Sequence, residues 1–134
     1  MANTNRQVVG PASIFGRNVV ISRGHVYMAG AIGEDEDGKL LTGDIGDRTR
    51  GAMRVVERRL ATVGLNLSDL VHVTIYLSNY HKDFEAFNIA YAACLPKDAA
   101  PPARICIGVA DLYEGTDVEI SAVAVTRDPL RYSL

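Results

Sequence analysis

Between Val71 and Ser78 apolar and polar residues alternate without a break, Val71, Val73, Ile75 and Leu77 against His72, Thr74, Tyr76 and Ser78. A period of two belongs to a β-strand whose two faces are used differently. The stretches on either side carry another period. Ala52, Val55, Val56, Leu60 and Val63 recur at helical spacing from about Ile45 to Val63, where Asp44 can cap the start and Gly64 can end the helix. Phe84, Phe87, Tyr91 and Leu95 form a second helical stripe from about Asp83 to Leu95, closed by the three prolines between Pro96 and Pro102. A half-buried strand between two one-sided helices requires a sheet for both helices to cover.

Other strands supply that sheet. Val19-Val20-Ile21-Ser22 and His25-Val26-Tyr27-Met28-Ala29 read as a hairpin through Arg23-Gly24, with Gly24 free to adopt positive φ. Two final strands, Ala103 to Val109 and Val118 to Thr126, close the chain around a loop holding Gly115. The order is strands, helix, strand, helix, two strands, with no repeat and no composition shift that marks a linker. Residues 1–134 therefore read as one α+β domain, helices on one sheet face. A chain of 134 residues, 48% of them hydrophobic, buries roughly two-thirds of its unfolded surface without staples. The second sheet face still carries Val123 and Val125, so it is expected to pack against other subunits.

Several function classes lose support at this point. A formal net charge of -2 gives no footprint for sequence-independent binding of nucleic acid. The basic helix face of Arg48, Arg50, Arg54, Arg58 and Arg59 has no interleaved aromatics and reads as solvated. His25, His72 and His81 form no metal-ligand spacing, and the acidic run Glu34-Asp35-Glu36-Asp37 lacks the alternation of a calcium loop, so no metal is expected. The glycines make neither GxGxxG nor a P-loop. Cys94 and Cys106 are not a CxxC pair, Met1-Ala2-Asn3-Thr4-Asn5 begins no signal-type apolar stretch, and no apolar run approaches a membrane span. A cytoplasmic protein with no membrane partner is expected.

Chemistry concentrates on the last two strands. Period-two geometry puts Arg104, Cys106 and Gly108 on one face, and Glu119 with Ser121 on one face of the neighbouring stretch. Two unlike charges inside apolar strands, taken as adjacent, read either as a structural ion pair at a subunit interface or as an active site. In the second case the guanidinium holds a carboxylate through two parallel hydrogen bonds and the glutamate positions or deprotonates a water. Cys106 either lines the same pocket or is a packed, inert thiol, since no histidine stands close in sequence to activate it.

Gly43-Asp44-Ile45-Gly46-Asp47-Arg48-Thr49-Arg50, Phe84-Glu85-Ala86-Phe87-Asn88-Ile89-Ala90-Tyr91, Pro101-Pro102-Ala103-Arg104 and Val118-Glu119-Ile120-Ser121-Ala122-Val123-Ala124 together resemble the RidA/YjgF family, in register from about Gly24 to Val125. The resemblance implies a chorismate-mutase-like (YjgF) fold, a mixed sheet with two helices on one face, assembled as a homotrimer around a central barrel with clefts between subunits. It implies hydrolysis of 2-imino or 2-enamino acids to 2-keto acids and ammonia, with no cofactor. Arg104 then matches the carboxylate-binding arginine and Glu119 the glutamate near the water. Asn88 and Cys106 match pocket-lining residues, and Gly30 the glycine whose backbone borders the ligand.

Two departures bear on the substrate. Where the family's Gly-Pro-Tyr-Ser precedes the first strand, this chain has Phe15-Gly16-Arg17-Asn18, so Arg17 stands in place of the pocket tyrosine. It either grips a second carboxylate or points into solvent. Ala29-Gly30-Ala31 stands where Ser-Gly-Gln is common, which makes the pocket edge at Ala31 less polar. Beside the general imine deaminase, two other readings stay open: a specialised catabolic deaminase or hydrolase of an aminomuconate-like dicarboxylate, and a non-enzymatic, chaperone-like binding trimer. Endoribonuclease activity has been attributed to the family, but an acidic chain without a histidine pair or an aromatic platform gives it little physical support.

Overall fold

The computed structural model describes residues 1–11 and 13–128. Six strands form a single sheet: β1 (Gln7–Val9), β2 (Val19–Ser22), β3 (His25–Ala31), β4 (Leu70–Leu77), β5 (Ala103–Gly108) and β6 (Val118–Val125). Two helices, α1 (Ile45–Ala61) and α2 (Tyr80–Cys94), lie against it. The spatial order is β1-β2-β3-β6-β4-β5, with β4 and β5 parallel and every other pair antiparallel. A parallel pair needs a long crossover, and α2 provides it between β4 and β5.

Local chemistry explains most of these elements. Arg23 (φ 51°) and Gly24 (φ 81°) make the two-residue turn with both φ values positive that suits the twist of a β2–β3 hairpin. At the start of α1 the Asp44 side chain accepts from the Asp47 N–H while the Asp47 side chain accepts from the Asp44 N–H, both at 3.0 Å. The helix ends at Ala61, and Gly64, at φ 76°, lets the Leu65 N–H reach back to the Leu60 carbonyl. α2 begins at Tyr80, three residues before the expected start at Asp83, because Asn79 offers no side-chain cap to mark it.

The core lies between the helices and one sheet face. Val73, Ile75 and Leu77 of β4 and Val118 and Ile120 of β6 pack with Val56 and Leu60 of α1 and Phe87 of α2. The alternation of β4 departs from the sequence reading at its first residue. A register shift between Leu70 and His72 turns Leu70 into the core and leaves Val71 exposed. Among the described residues the other sheet face carries no helix, and it displays Tyr27, Ile105 and Ile107, which are 48%, 51% and 37% exposed.

Candidate active site

Arg104 stands on β5, the edge strand, level with Val73 of β4, and so shares the face that the helices cover. Beyond the edge of the core its side chain meets α2. Nη2 donates to Asn88 Oδ1 at 2.7 Å, and the guanidinium carbon lies 5.2 Å from the Tyr91 ring centroid and 5.8 Å from that of Phe87. An amide and two aromatic faces fix the direction of a cation that remains exposed. The guanidinium makes no other hydrogen bond with the described residues, so the edge that suits a carboxylate is open. Phe87 and Tyr91 read in the sequence only as core; the signal for their second use is their helical spacing around Asn88.

Cys106, two residues on, is level with Ile75 and faces the same way. It is half-buried, and burial pushes its thiol above the ordinary value while Arg104 pulls it back. That environment favours the packed, unreactive thiol.

Glu119 does not meet Arg104 within the chain. It pairs with Tyr76 on the opposite face, and β4 lies between β5 and β6. Taking the last two strands as neighbours is therefore corrected. The crossover through α2 sets β5 on the outside of β4, and β6 enters between β3 and β4. Within one chain, Arg104 and Glu119 form no ion pair among the described residues.

Glu119 has a different companion. The β3–β6 register shifts between Met28 and Ala31, a bulge that sets Ala29 and Gly30 against Ser121. A Cβ on Gly30 would stand 2.8 Å from Glu119 Cδ and 3.0 Å from Oε2, so glycine is needed for the carboxylate to lie against the backbone there. Ala31, only 1% exposed, turns its side chain into the core, so its side chain does not form a pocket edge within the chain. Arg17 lies ahead of β2. The Asn18 carbonyl accepts from the Ala29 N–H at 3.0 Å, which sets the residue after Arg17 beside the β3 bulge. It is half-buried, and its guanidinium has no hydrogen bond or ion pair among the described residues.

The basic face of α1 is not uniformly solvated. Arg48 makes a two-bond pair with Asp117, Nε to Oδ1 and Nη2 to Oδ2, both at 2.7 Å, and so ties α1 to the turn ahead of β6. Arg59 reaches the β3 bulge, where Nη1 donates to the Ala29 carbonyl at 2.7 Å and lies 3.4 Å from that of Gly30. No group of three or more His, Cys, Asp or Glu side chains among the described residues could hold a metal ion. Among them, no helix is long and apolar enough to cross a membrane.

A mixed sheet with two helices on one face, an open arginine at its edge and a glutamate against a glycine bulge define a YjgF-type fold, and sequence and structure comparisons agree. The Endoribonuclease L-PSP family matches residues 7–126, and the chain belongs to that family, the RidA/YjgF group. It is 29% identical over 111 residues to the 2-iminobutanoate/2-iminopropanoate deaminase of Escherichia coli, covering 82% of this chain and 81% of that one. It is 30% identical over 118 residues to the protein MMF1, mitochondrial, of Saccharomyces cerevisiae, covering 88% and 79%. The crystal structure of E. coli TdcF with bound serine matches with a TM-score of 0.79 at 25% identity, covering 92% of this chain and 96% of that one.

Proposed function

We propose that the protein is a hydrolytic deaminase of small 2-imino and 2-enamino acids, releasing 2-keto acids and ammonia, and that its site is shared between subunits of a homotrimer. The open, pre-oriented guanidinium of Arg104 carries the reading, because it offers a two-bond grip for a 2-carbon-linked carboxylate at little further ordering cost. The named activity of the E. coli relative and the serine held by TdcF are in keeping with a substrate of that size.

The chemistry asks little more of the protein. The imine carbon is already electrophilic. With the carboxylate on Arg104, Glu119 takes a proton from a water as its oxygen bonds to C2 and the C=N π pair moves to nitrogen; Glu119 returns that proton to the nitrogen, and the C2 hydroxyl gives up its own to the nitrogen as the C–N bond breaks, leaving the 2-keto acid and ammonia. Because Arg104 and Glu119 lie on opposite faces of their own sheet, the proposal brings Arg104, Asn88 and Cys106 of one subunit to Glu119 and Gly30 of the next. The uncovered apolar face with Tyr27, Ile105 and Ile107 is the surface on which three copies would close.

The direct test generates 2-iminopropanoate in place with an amino-acid oxidase and follows ammonia. The wild type should accelerate release over buffer, and Arg104→Ala should lose about a hundredfold or more in kcat/KM, the scale of removing a charged, two-bond contact. Equal rates for the two proteins would overturn the reading.

Arg17 favours a second reading of substrate scope. A half-buried guanidinium with no partner among the described residues, one residue ahead of the Asn18 contact to the β3 bulge, suits a second carboxylate, so dicarboxylic imines belong in the same assay. We assign the protein to the cytoplasm, in keeping with its two free cysteines, although the yeast relative is named mitochondrial. Cell fractionation decides between the two compartments.

A further inference from the structure

The bulge that carries Gly30 is also held from outside its own sheet. Ladder pairing of β2 with β3 stops at Val19 and Met28, with one further bond from the Ala29 N–H to the Asn18 carbonyl, and pairing of β3 with β6 skips from Met28 to Ala31. Arg59, from the last turn of α1, adds a side-chain contact to the Ala29 and Gly30 carbonyls. Arg58, beside it in sequence, stays exposed, while Arg59 is half-buried against the sheet. Burial pushes its guanidinium below the ordinary arginine value, and the nearby Glu34 carboxylate works the other way. A half-buried cation that donates to the Ala29 carbonyl at 2.7 Å, with the Gly30 carbonyl 3.4 Å away, restrains the backbone of the bulge.

What those carbonyls belong to gives the contact its consequence. The Gly30 α-carbon is so close to the Glu119 carboxylate that even one added carbon would meet it at 2.8 Å. The chain of contact runs from Arg59 to the Ala29 and Gly30 carbonyls, and from Gly30 to Glu119. We infer that Arg59 is a positioning residue of the active site, which pins the bulge so that Glu119 keeps its place against Gly30. The inference rests on the deaminase reading and deepens it, since it assigns the water-handling half of the site a support that the substrate-gripping half lacks. Arg104 takes its own orientation from α2 and does not depend on Arg59.

The two halves make the test specific. In the ammonia-release assay with the full-length protein, Arg59→Met should lower kcat about tenfold while KM stays within about twofold, because a misplacement well below 1 Å at the reacting centre costs rate without loosening the carboxylate grip. Arg59→Lys should recover part of the loss, since an ammonium on a long stem can reach one of the two carbonyls. Unchanged kcat in a folded Arg59→Met protein, or a loss expressed in KM alone, overturns the inference. If Arg59→Met does not fold, Arg59→Lys decides: a lower kcat at unchanged KM supports the role, and wild-type kcat removes it. With the wild type active and Arg104→Ala inactive, such a failure concerns Arg59 alone. A wild type that releases no ammonia above buffer overturns the functional reading and takes this inference with it.

Discussion

Gly30 is the glycine whose missing side chain leaves room for the Glu119 carboxylate. Gly30→Ala should push the Glu119 carboxylate aside, because the end of a glutamate moves more easily than the strand beneath it. Turnover in the ammonia-release assay should fall about tenfold or more with the melting temperature little changed. Wild-type turnover in Gly30→Ala would show that Glu119 need not lie where it does. At this scale the sequence was informative about identity and silent about company. Arg104 and Glu119 stand out because an ion in an apolar strand needs a reason, yet their expected contact required adjacent strands, and strand order is not written in any short stretch of chain. Arg59 was unreadable for a related cause. Among five arginines on one helix, only the packing of α1 on β3 distinguishes the one that turns inward.

At the scale of elements, the first turn of α2 holds an unfavourable carboxylate. Asp83 is 6% exposed; burial and then the Asp117 carboxylate raise its pKa, against the opposing pull of Lys82 and Arg48. A carboxyl whose native value exceeds its unfolded one weakens the fold as pH rises through the window between them, and the penalty is absent below it. Asp83→Asn removes the ionisation, so its advantage in Tm over the wild type should be greater at pH 7 than at pH 4. A difference that is constant, or that grows towards pH 4, would contradict this. The elements themselves were largely legible. Periodicity located both helices and β4, and Asp44 and Gly64 bracketed α1 because caps are local chemistry. The misses are where local signals stop. Three-residue β1 is too short for a period, α2 starts without a side-chain cap, and the bulge at Val71 exchanges the faces of one strand end.

For the whole molecule, the central feature is a sheet with one covered and one uncovered face. The sequence anticipated it from Val123 and Val125, which remained after both helices had been assigned to the same side. Arg104 and Glu119 lie on opposite faces of the sheet within one chain, and the proposed trimer would bring them together across an interface. If neighbouring copies supply them, two inactive variants should repair each other. Arg104→Ala and Glu119→Gln proteins, unfolded together in equal amounts and refolded, should regain about a quarter of wild-type ammonia release, since a given interface receives both native residues about one time in four under random assembly. Activity no higher than that of either variant refolded alone would contradict a site shared between subunits.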